Sequence, residues 1–385
     1  MKKVLVISHE ATRTGAPIVL LNFLEALKKR NPELQIDLIL AKGGALTDRF
    51  KNIGRTIQLD EYPNKLTLVR RLIRKIRSIL APASLASFDN PHLGKFVRNG
   101  YDVILSNTIG NGYILNAIKP KNCKVVSYIH ELEPSVQRLT SAETLSYVFK
   151  YTNHFIVPSQ AVMDNLVENH KVTQSSITLL SSYIPETEVD PISKGEIIRK
   201  LGLENNLVIC GMGYLGWIKG SDLFIRICML LKKLVPDLKF KFLWVGANKD
   251  SSEYLTFLDD AKYANVLDDI IVIENVNKPS DYLSITDVFL LTSREESFSL
   301  VIREAAMQKK PSICFNNIQG AVEFNQGYGG IITPYLNVNE MAHKLADLLR
   351  NKKEIERLGG KAWILYKELH SEEKSLPAFE AVLGV

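Results

Sequence analysis

Glu296 and Glu304 stand eight positions apart in the stretch "EESFSLVIRE", which follows the apolar run "DVFLLTS" and leads into "AAMQKKPSICF". The apolar run reads as a strand. Glu304, set among Val301, Ile302, Ala305 and Ala306, reads as part of a helix with an apolar face. Carboxylates this close to a core normally have a partner. The amides of Ser299 and Leu300 fall where the strand pattern gives way to the helix pattern. A helix N-terminus carries unpaired N–H donors and a partial positive charge, a natural seat for phosphate. Glu304 lies four residues past Leu300, on the same helix face one turn on, so a ribose joined to that phosphate comes within its reach. Glu296, on the other side, meets whatever else the phosphate carries. Two carboxylates flanking a diphosphate suit a nucleotide diphosphate sugar. A plainer arrangement also satisfies the sequence: Glu304 paired with Arg303 or another base, and Glu296 capping the helix.

A second constellation lies earlier, in "NLVICGMGYLGWIKGSDLFI", where Gly211, Gly213 and Gly216 satisfy G-x-G-x-x-G. A dinucleotide fingerprint needs its helix to open at the glycines, whereas "WIKG" intervenes and the helix pattern begins around Ser221. The next strand, "FKFLWVG", ends in Gly246 and Ala247 without the acid that would hold a ribose. An NAD-dependent oxidoreductase is therefore the remote reading. The same glycines let backbone approach a ligand closely, and Lys219 can then reach over it as a point charge.

The elements that must position these residues alternate along the chain. "KVLVIS", "IDLILA", "DVILS", "KVVSYI" and "HFIVPS" in the first half, and "NLVICG", "FKFLWVG", "IIVIE", "DVFLLTS" and "SICF" in the second, are continuous apolar runs, each followed by a helical pattern. Such runs are strands of parallel sheets covered on both faces. With 385 residues the chain exceeds one ordinary core, so the expectation is an α/β protein of two doubly wound, Rossmann-like domains facing a central cleft. "SSYIPETEVDPISKGE" interrupts the alternation, and the expected domains are 1–187 and 188–366.

Composition is that of a globular protein, 46% hydrophobic and 23% charged. The four cysteines lack C-x-x-C spacing and read as buried thiols of a reducing compartment. The apolar run before His9 is too short for a signal peptide, and nothing approaches a membrane span, so a cytoplasmic protein is expected. The net charge of +6 is uneven: "KLTLVRRLIRKIRSIL", residues 65–80, is a basic amphipathic helix pattern without an acid. It suits either a packed surface helix or an anionic membrane surface. Nucleic acid is not expected, because no aromatic residue is interleaved with the charge.

The pattern E-x-F-x-x-x-x-x-E after an apolar strand, with K-G at the front of the same domain, resembles the retaining glycosyltransferases of family 4, which have the GT-B fold. The resemblance extends over nearly the whole chain. "SHEATRTGAPIVLLNFLEAL" is similar to the family's first strand, its small-residue loop at Gly15 and Ala16, and the following helix. "SYIHELEP" resembles its strand ending in histidine plus an acid, and "FIVPSQAVMDNL" its serine turn. "VGANKD" and "ENVNKPSDYLSITDVFLLTS" resemble the strand ends around the nucleotide base, where Val276 stands. "GMGYLGWIKGSDLFI" is similar to members that build bacterial surface polysaccharides.

The resemblance implies an N-terminal acceptor-binding domain, a C-terminal donor-binding domain and a last helix over 367–385 that crosses back. It implies that Glu304 holds the ribose and Glu296 the donor hexose, with Lys219 and the amides from Phe298 to Leu300 on the diphosphate. His130 then lies over the sugar, and Gly15 brings the first loop close to phosphate and acceptor. Next to Gly213, Tyr214 stands where many members have arginine, and Ser297 and Ser299 replace the glycines of E-G-F-G. No two aspartates are separated by a single residue, so a D-x-D metal clamp is missing and no metal or cofactor is expected. The implied activity is transfer of a hexose, with retention, from a UDP-sugar, UDP-glucose first, to a saccharide or lipid-linked saccharide in bacterial polysaccharide synthesis. An inverting GT-B transferase or a nucleotide-sugar epimerase is the alternative.

Overall fold

The computed structural model describes residues 2–61, 91–97 and 100–385; the basic stretch 65–80 lies outside them. The chain divides into two compact units, residues 1–183 with 372–385, and residues 184–371. Both are built on parallel sheets.

In the first unit the strands are β1 (Lys3–Ser8), β2 (Gln35–Leu40), β3 (Arg55–Gln58), β4 (Val103–Asn107), β5 (Lys124–Tyr128), β6 (His154–Val157) and β7 (Ile177–Leu179), in the order β3-β2-β1-β4-β5-β6-β7. The order reverses between β1 and β4, which pair from Val4 opposite Val103 to Ser8 opposite Asn107. Their central residues are apolar and fully buried, because helices cover both faces. The helix Gly15–Arg30 carries one apolar face into this core, and the Phe23 ring stacks at 4.4 Å on Phe379 of the helix Glu372–Leu383. The C-terminal segment thus belongs to the first unit.

In the second unit β8 (Leu207–Met212), β9 (Phe240–Ala247), β10 (Ile270–Glu274), β11 (Val288–Leu291), β12 (Ser312–Phe315) and β13 (Ile331–Thr333) take the order β10-β9-β8-β11-β12-β13. Here the reversal lies between β8 and β11. Trp244, Phe242, Phe224, Phe289 and Phe315 fill the core. The division falls at Tyr183 and Ile184 because the seam segment is tied to the second unit: Ile184 donates its N–H to the His370 carbonyl and accepts from the Tyr366 hydroxyl at 2.8 Å.

The continuous apolar strands are those the sequence marks. β3, β7 and β13 are not, since "RTIQ", "ITL" and "IIT" are short edge strands whose character comes from pairing rather than from their own pattern.

Candidate functional site

In a doubly wound sheet, ligands bind beyond the carboxyl ends of the strands where the order reverses. In the second unit that place is bordered by the loop after β8 and the loop after β11. Gly213 follows β8 with φ 138°, and a Cβ there would sit 3.3 Å from the Lys219 side chain. Gly220, at φ 65°, passes so close to β11 that a Cβ would lie 2.0 Å from the Thr292 carbonyl. These two glycines let the loop fold Lys219 back over the strand ends. Lys219 Nζ then lies 2.5 Å from Glu296 Oε1, which also accepts from the Ser293 hydroxyl at 2.9 Å. Burial alone would lower the Lys219 pKa, but the Glu296 carboxylate outweighs it and the net shift is upward, so the ammonium is charged. Tyr214 is half exposed, with its ring centroid 6.0 Å from Nζ.

Arg294 braces the same loop. It donates to both oxygens of Asp222 at 2.8 and 2.7 Å and to the Trp217 carbonyl at 2.7 Å. The sequence does not single out Arg294, because its partners lie more than seventy residues upstream.

Past Glu296 the chain turns at Ser299, φ 60° and ψ 80°, into the helix Leu300–Met307, and no side chain caps the helix. Phe298 is buried, so what it can offer a ligand is its backbone. Glu304 sits one turn in and is partly buried. Among the described residues its side chain has no hydrogen-bond or ion-pair partner, and burial raises its pKa to about 7. The plainer arrangement of Glu304 paired with Arg303 is therefore corrected. Arg303 turns inward, 4% exposed, donating to the Phe298, Ser299 and Gly320 carbonyls and to His370 Nε2. Val276 follows β10 at the same carboxyl edge and packs partly against the core.

In the first unit the reversal point lies between the loop after β1 and the end of β4. Thr14 stands before the helix that begins at Gly15 but gives its hydroxyl to Glu10 at 2.8 Å, so no side chain caps this helix either. Asn107, the last residue of β4, donates to the Ala16 carbonyl at 3.1 Å, and its Oδ1 lies 2.8 Å from His130 Nε2. Asn107 thereby joins Ala16 to His130, two residues that the sequence singles out separately. The His130 ring packs 4.1 Å from the Tyr128 ring, and burial, with the charge of His9, lowers its pKa to about 3. His130 is a neutral hydrogen-bonding group. Glu131 is 7% exposed and accepts from the amides of His130 at 2.9 Å and Ile109 at 3.3 Å, while burial raises its pKa. Asn107 is legible only as a polar residue ending an apolar strand.

Surface hollows also occur around Lys3, Asp37, Arg55 and Tyr101, but these lie at the amino ends of β1 to β3, opposite the edge where parallel sheets bind ligands. Among the described residues no group of three or more His, Cys, Asp or Glu side chains could hold a metal ion.

Residues 193–363 match the family model described as glycosyl transferases group 1. Residues 193–363, most of the second unit, are thus similar to the group 1 glycosyl transferases. The chain is 24% identical over 224 residues to alpha-galactosylglucosyldiacylglycerol synthase of Streptococcus pneumoniae, covering 54% of this chain and 59% of that protein. It thus spans about three-fifths of the length of that curated relative. It is 22% identical over 288 residues to N-acetylgalactosamine-N,N'-diacetylbacillosaminyl-diphospho-undecaprenol 4-alpha-N-acetylgalactosaminyltransferase of Campylobacter jejuni, covering 74% of each. The crystal structure of Anabaena HepE in complex with UDP-glucose superposes with a TM-score of 0.80 at 16% identity, covering 100% of both chains. The chain therefore has the GT-B architecture of two doubly wound parallel-sheet domains.

Proposed function

We propose that this protein is a retaining, metal-independent hexosyltransferase that uses a UDP-sugar, UDP-glucose first, and a saccharide or lipid-linked saccharide acceptor in bacterial polysaccharide synthesis. The observation that carries the reading is the second unit's corner. An uncapped helix N-terminus lies beside a charged lysine, and one turn further on stands a carboxylate with no partner among the described residues. A diphosphate is the group that such donors and such a cation stabilise together. Its ribose hydroxyls supply the donors that the Glu304 carboxylate lacks.

In this mechanism the acceptor hydroxyl oxygen bonds to the anomeric carbon from the face the leaving group departs. The bond from that carbon to the diphosphate breaks, and a phosphate oxygen takes the acceptor's proton. Lys219 and the amides of Phe298 to Leu300 stabilise the charge that grows on the diphosphate; donors of this kind are each worth roughly 3 kcal/mol. Glu296, released by Lys219 to accept sugar hydroxyls, orients the hexose and favours an oxocarbenium-like state. His130, neutral and held by Asn107, offers hydrogen bonds to sugar on the acceptor unit.

A lipid-linked acceptor is favoured by the substrates named for the streptococcal and Campylobacter relatives, a diacylglycerol glycolipid and a diphospho-undecaprenol. The basic stretch 65–80 suits such a substrate by attracting anionic lipid from the cytoplasmic side, and no helix among the described residues is long and apolar enough to cross a membrane. Titration with UDP, GDP and ADP and with their glucose conjugates tests the donor, with UDP expected to bind tightest. Product NMR tests the stereochemistry. A product of inverted configuration would move the protein to the inverting GT-B class.

A further inference from the structure

Ser299 occupies the left-handed region, φ 60° and ψ 80°, just before the helix Leu300–Met307. A glycine adopts this conformation freely, and a serine does so at a cost of about 1–2 kcal/mol. The serine hydroxyl is buried without a hydrogen-bond partner, so the side chain offsets none of that cost. The turn needs another hold, and the Arg303 guanidinium provides it. It donates to the carbonyls of Phe298 and of Ser299, the latter at 3.1 Å, and to the Gly320 carbonyl at 3.1 Å. Its Nε donates to His370 Nε2 at 3.1 Å. Its central carbon lies 3.7 Å from the Phe298 ring centroid and 4.9 Å from that of Phe324.

The Phe298 carbonyl shares one peptide plane with the Ser299 N–H, and the Ser299 carbonyl shares the next with the Leu300 N–H. In a trans peptide the carbonyl and the N–H point in opposite directions. A guanidinium that fixes both carbonyls on the inner side therefore aims both N–H groups to the other side. Those are the amides that seat the diphosphate under the function proposed above, on which this step rests. The planar fork suits the task, because several donors in fixed geometry can hold two successive carbonyls at once. Arg303 meets three carbonyls and an imidazole in direct contact, while Glu296 and Glu323 act on it only through space.

We propose that Arg303, backed by His370, is a positioning residue that orients the phosphate-binding amides of Ser299 and Leu300 and holds Ser299 in a turn made for glycine. Sequence spacing hides this role, since Arg303 is the immediate neighbour of Glu304 and reads as its partner.

The test compares Arg303→Met, Arg303→Lys, Ser299→Gly and the Arg303→Met/Ser299→Gly double variant in the full chain, by calorimetric binding of UDP, by uridine competition and by amide hydrogen exchange over residues 298–301. Arg303→Met should weaken UDP by about tenfold or more while uridine changes by less than about twofold. Exchange at the Ser299 and Leu300 amides should quicken, and adding Ser299→Gly should return most of the lost UDP affinity. Arg303→Lys keeps the charge but not the fork, and should quicken exchange as the methionine variant does; it also serves if the methionine variant does not fold. Equal losses for UDP and uridine, or failure of Ser299→Gly to recover UDP binding, would overturn the proposal. If the unsubstituted protein binds no UDP, the nucleotide reading has failed instead. Exchange then still judges Arg303, with unchanged exchange at Ser299 and Leu300 counting against it and quickened exchange for it.

Discussion

Lys219 Nζ and Glu296 Oε1 lie 2.5 Å apart, joining the loop after β8 to the loop after β11 across the point where the strand order of the second unit reverses. Each residue is the other's charge partner, with side chains 22% and 10% exposed. Under the proposed function a diphosphate competes with Glu296 for the ammonium, and the freed carboxylate then accepts from sugar hydroxyls, so that one contact would couple phosphate binding to sugar orientation.

Lys219→Ala removes the cation and strands a buried carboxylate. We expect transfer to fall by about 100-fold or more, the size of one lost electrostatic donor, in a protein whose circular dichroism is unchanged. Glu304→Ala should lose donor turnover likewise. Full activity in both variants would remove these residues from the site.

Glu304 gives a pH signature. Its pKa is raised from 4.5 to about 7 by burial, so the folded state holds a proton that the unfolded state releases. Stability therefore falls as pH rises between those values, and the loss is complete above the upper one. Glu304→Gln should be more stable than the unsubstituted protein at pH 8 by up to about 3 kcal/mol in urea denaturation, with the difference vanishing below about pH 4.5. UDP affinity should rise from about pH 6 to pH 8 as the carboxylate forms, and be flat in Glu304→Gln. A flat profile in the unsubstituted protein would count against ribose on Glu304.

Ser299→Gly relieves a left-handed serine. A gain of about 0.5–1 kcal/mol in denaturation is expected, since glycine takes this φ without a Cβ penalty. A loss of stability would mean that the serine makes an interaction that glycine cannot replace.

His130 should make the first unit acid-labile. Burial and the charge of His9 lower its pKa from 6.5 to about 3, so the unfolded chain takes up a proton that the folded chain refuses. The stability this contributes is present above about pH 6.5 and is lost as pH falls towards 3. By pH 4.5 the loss attributable to this ring reaches about 2–3 kcal/mol. His130→Gln should therefore show a shallower fall between pH 6.5 and 4.5, measured by denaturation at each pH.

Metal removal is the remaining check. With Lys219 and backbone amides as the stabilising groups, EDTA should leave the transfer rate unchanged. Loss of activity that magnesium or manganese restores would require a different account of the leaving group.

Much of this protein is legible in its sequence, for reasons that are local. Strands buried on both faces must be continuously apolar, so β1, β4, β8, β9 and β11 announce themselves, and the helix patterns between them imply parallel sheets. The glutamate spacing across a strand-to-helix corner is equally local, since rise and twist alone place Glu304 one turn past Leu300. The edge strands β3, β7 and β13 are short and acquire their state from a neighbour, so no periodicity marks them. Arg294, Asn107 and Arg303 owe their roles to partners distant in sequence: Asp222, Ala16 and His370. Adjacent helical residues point in different directions, so whether Arg303 pairs with Glu304 depends on which of them faces the core. The tertiary structure turns Arg303 inward, where Phe298, Phe324 and His370 close around the guanidinium, and buries the Glu304 carboxylate where, among the described residues, no donor meets it. The sequence by itself determined that two carboxylates and a lysine lie at strand ends. Only the folded chain decided which charges neutralise each other and which remain for a ligand, because that depends on distances between segments that periodicity does not encode.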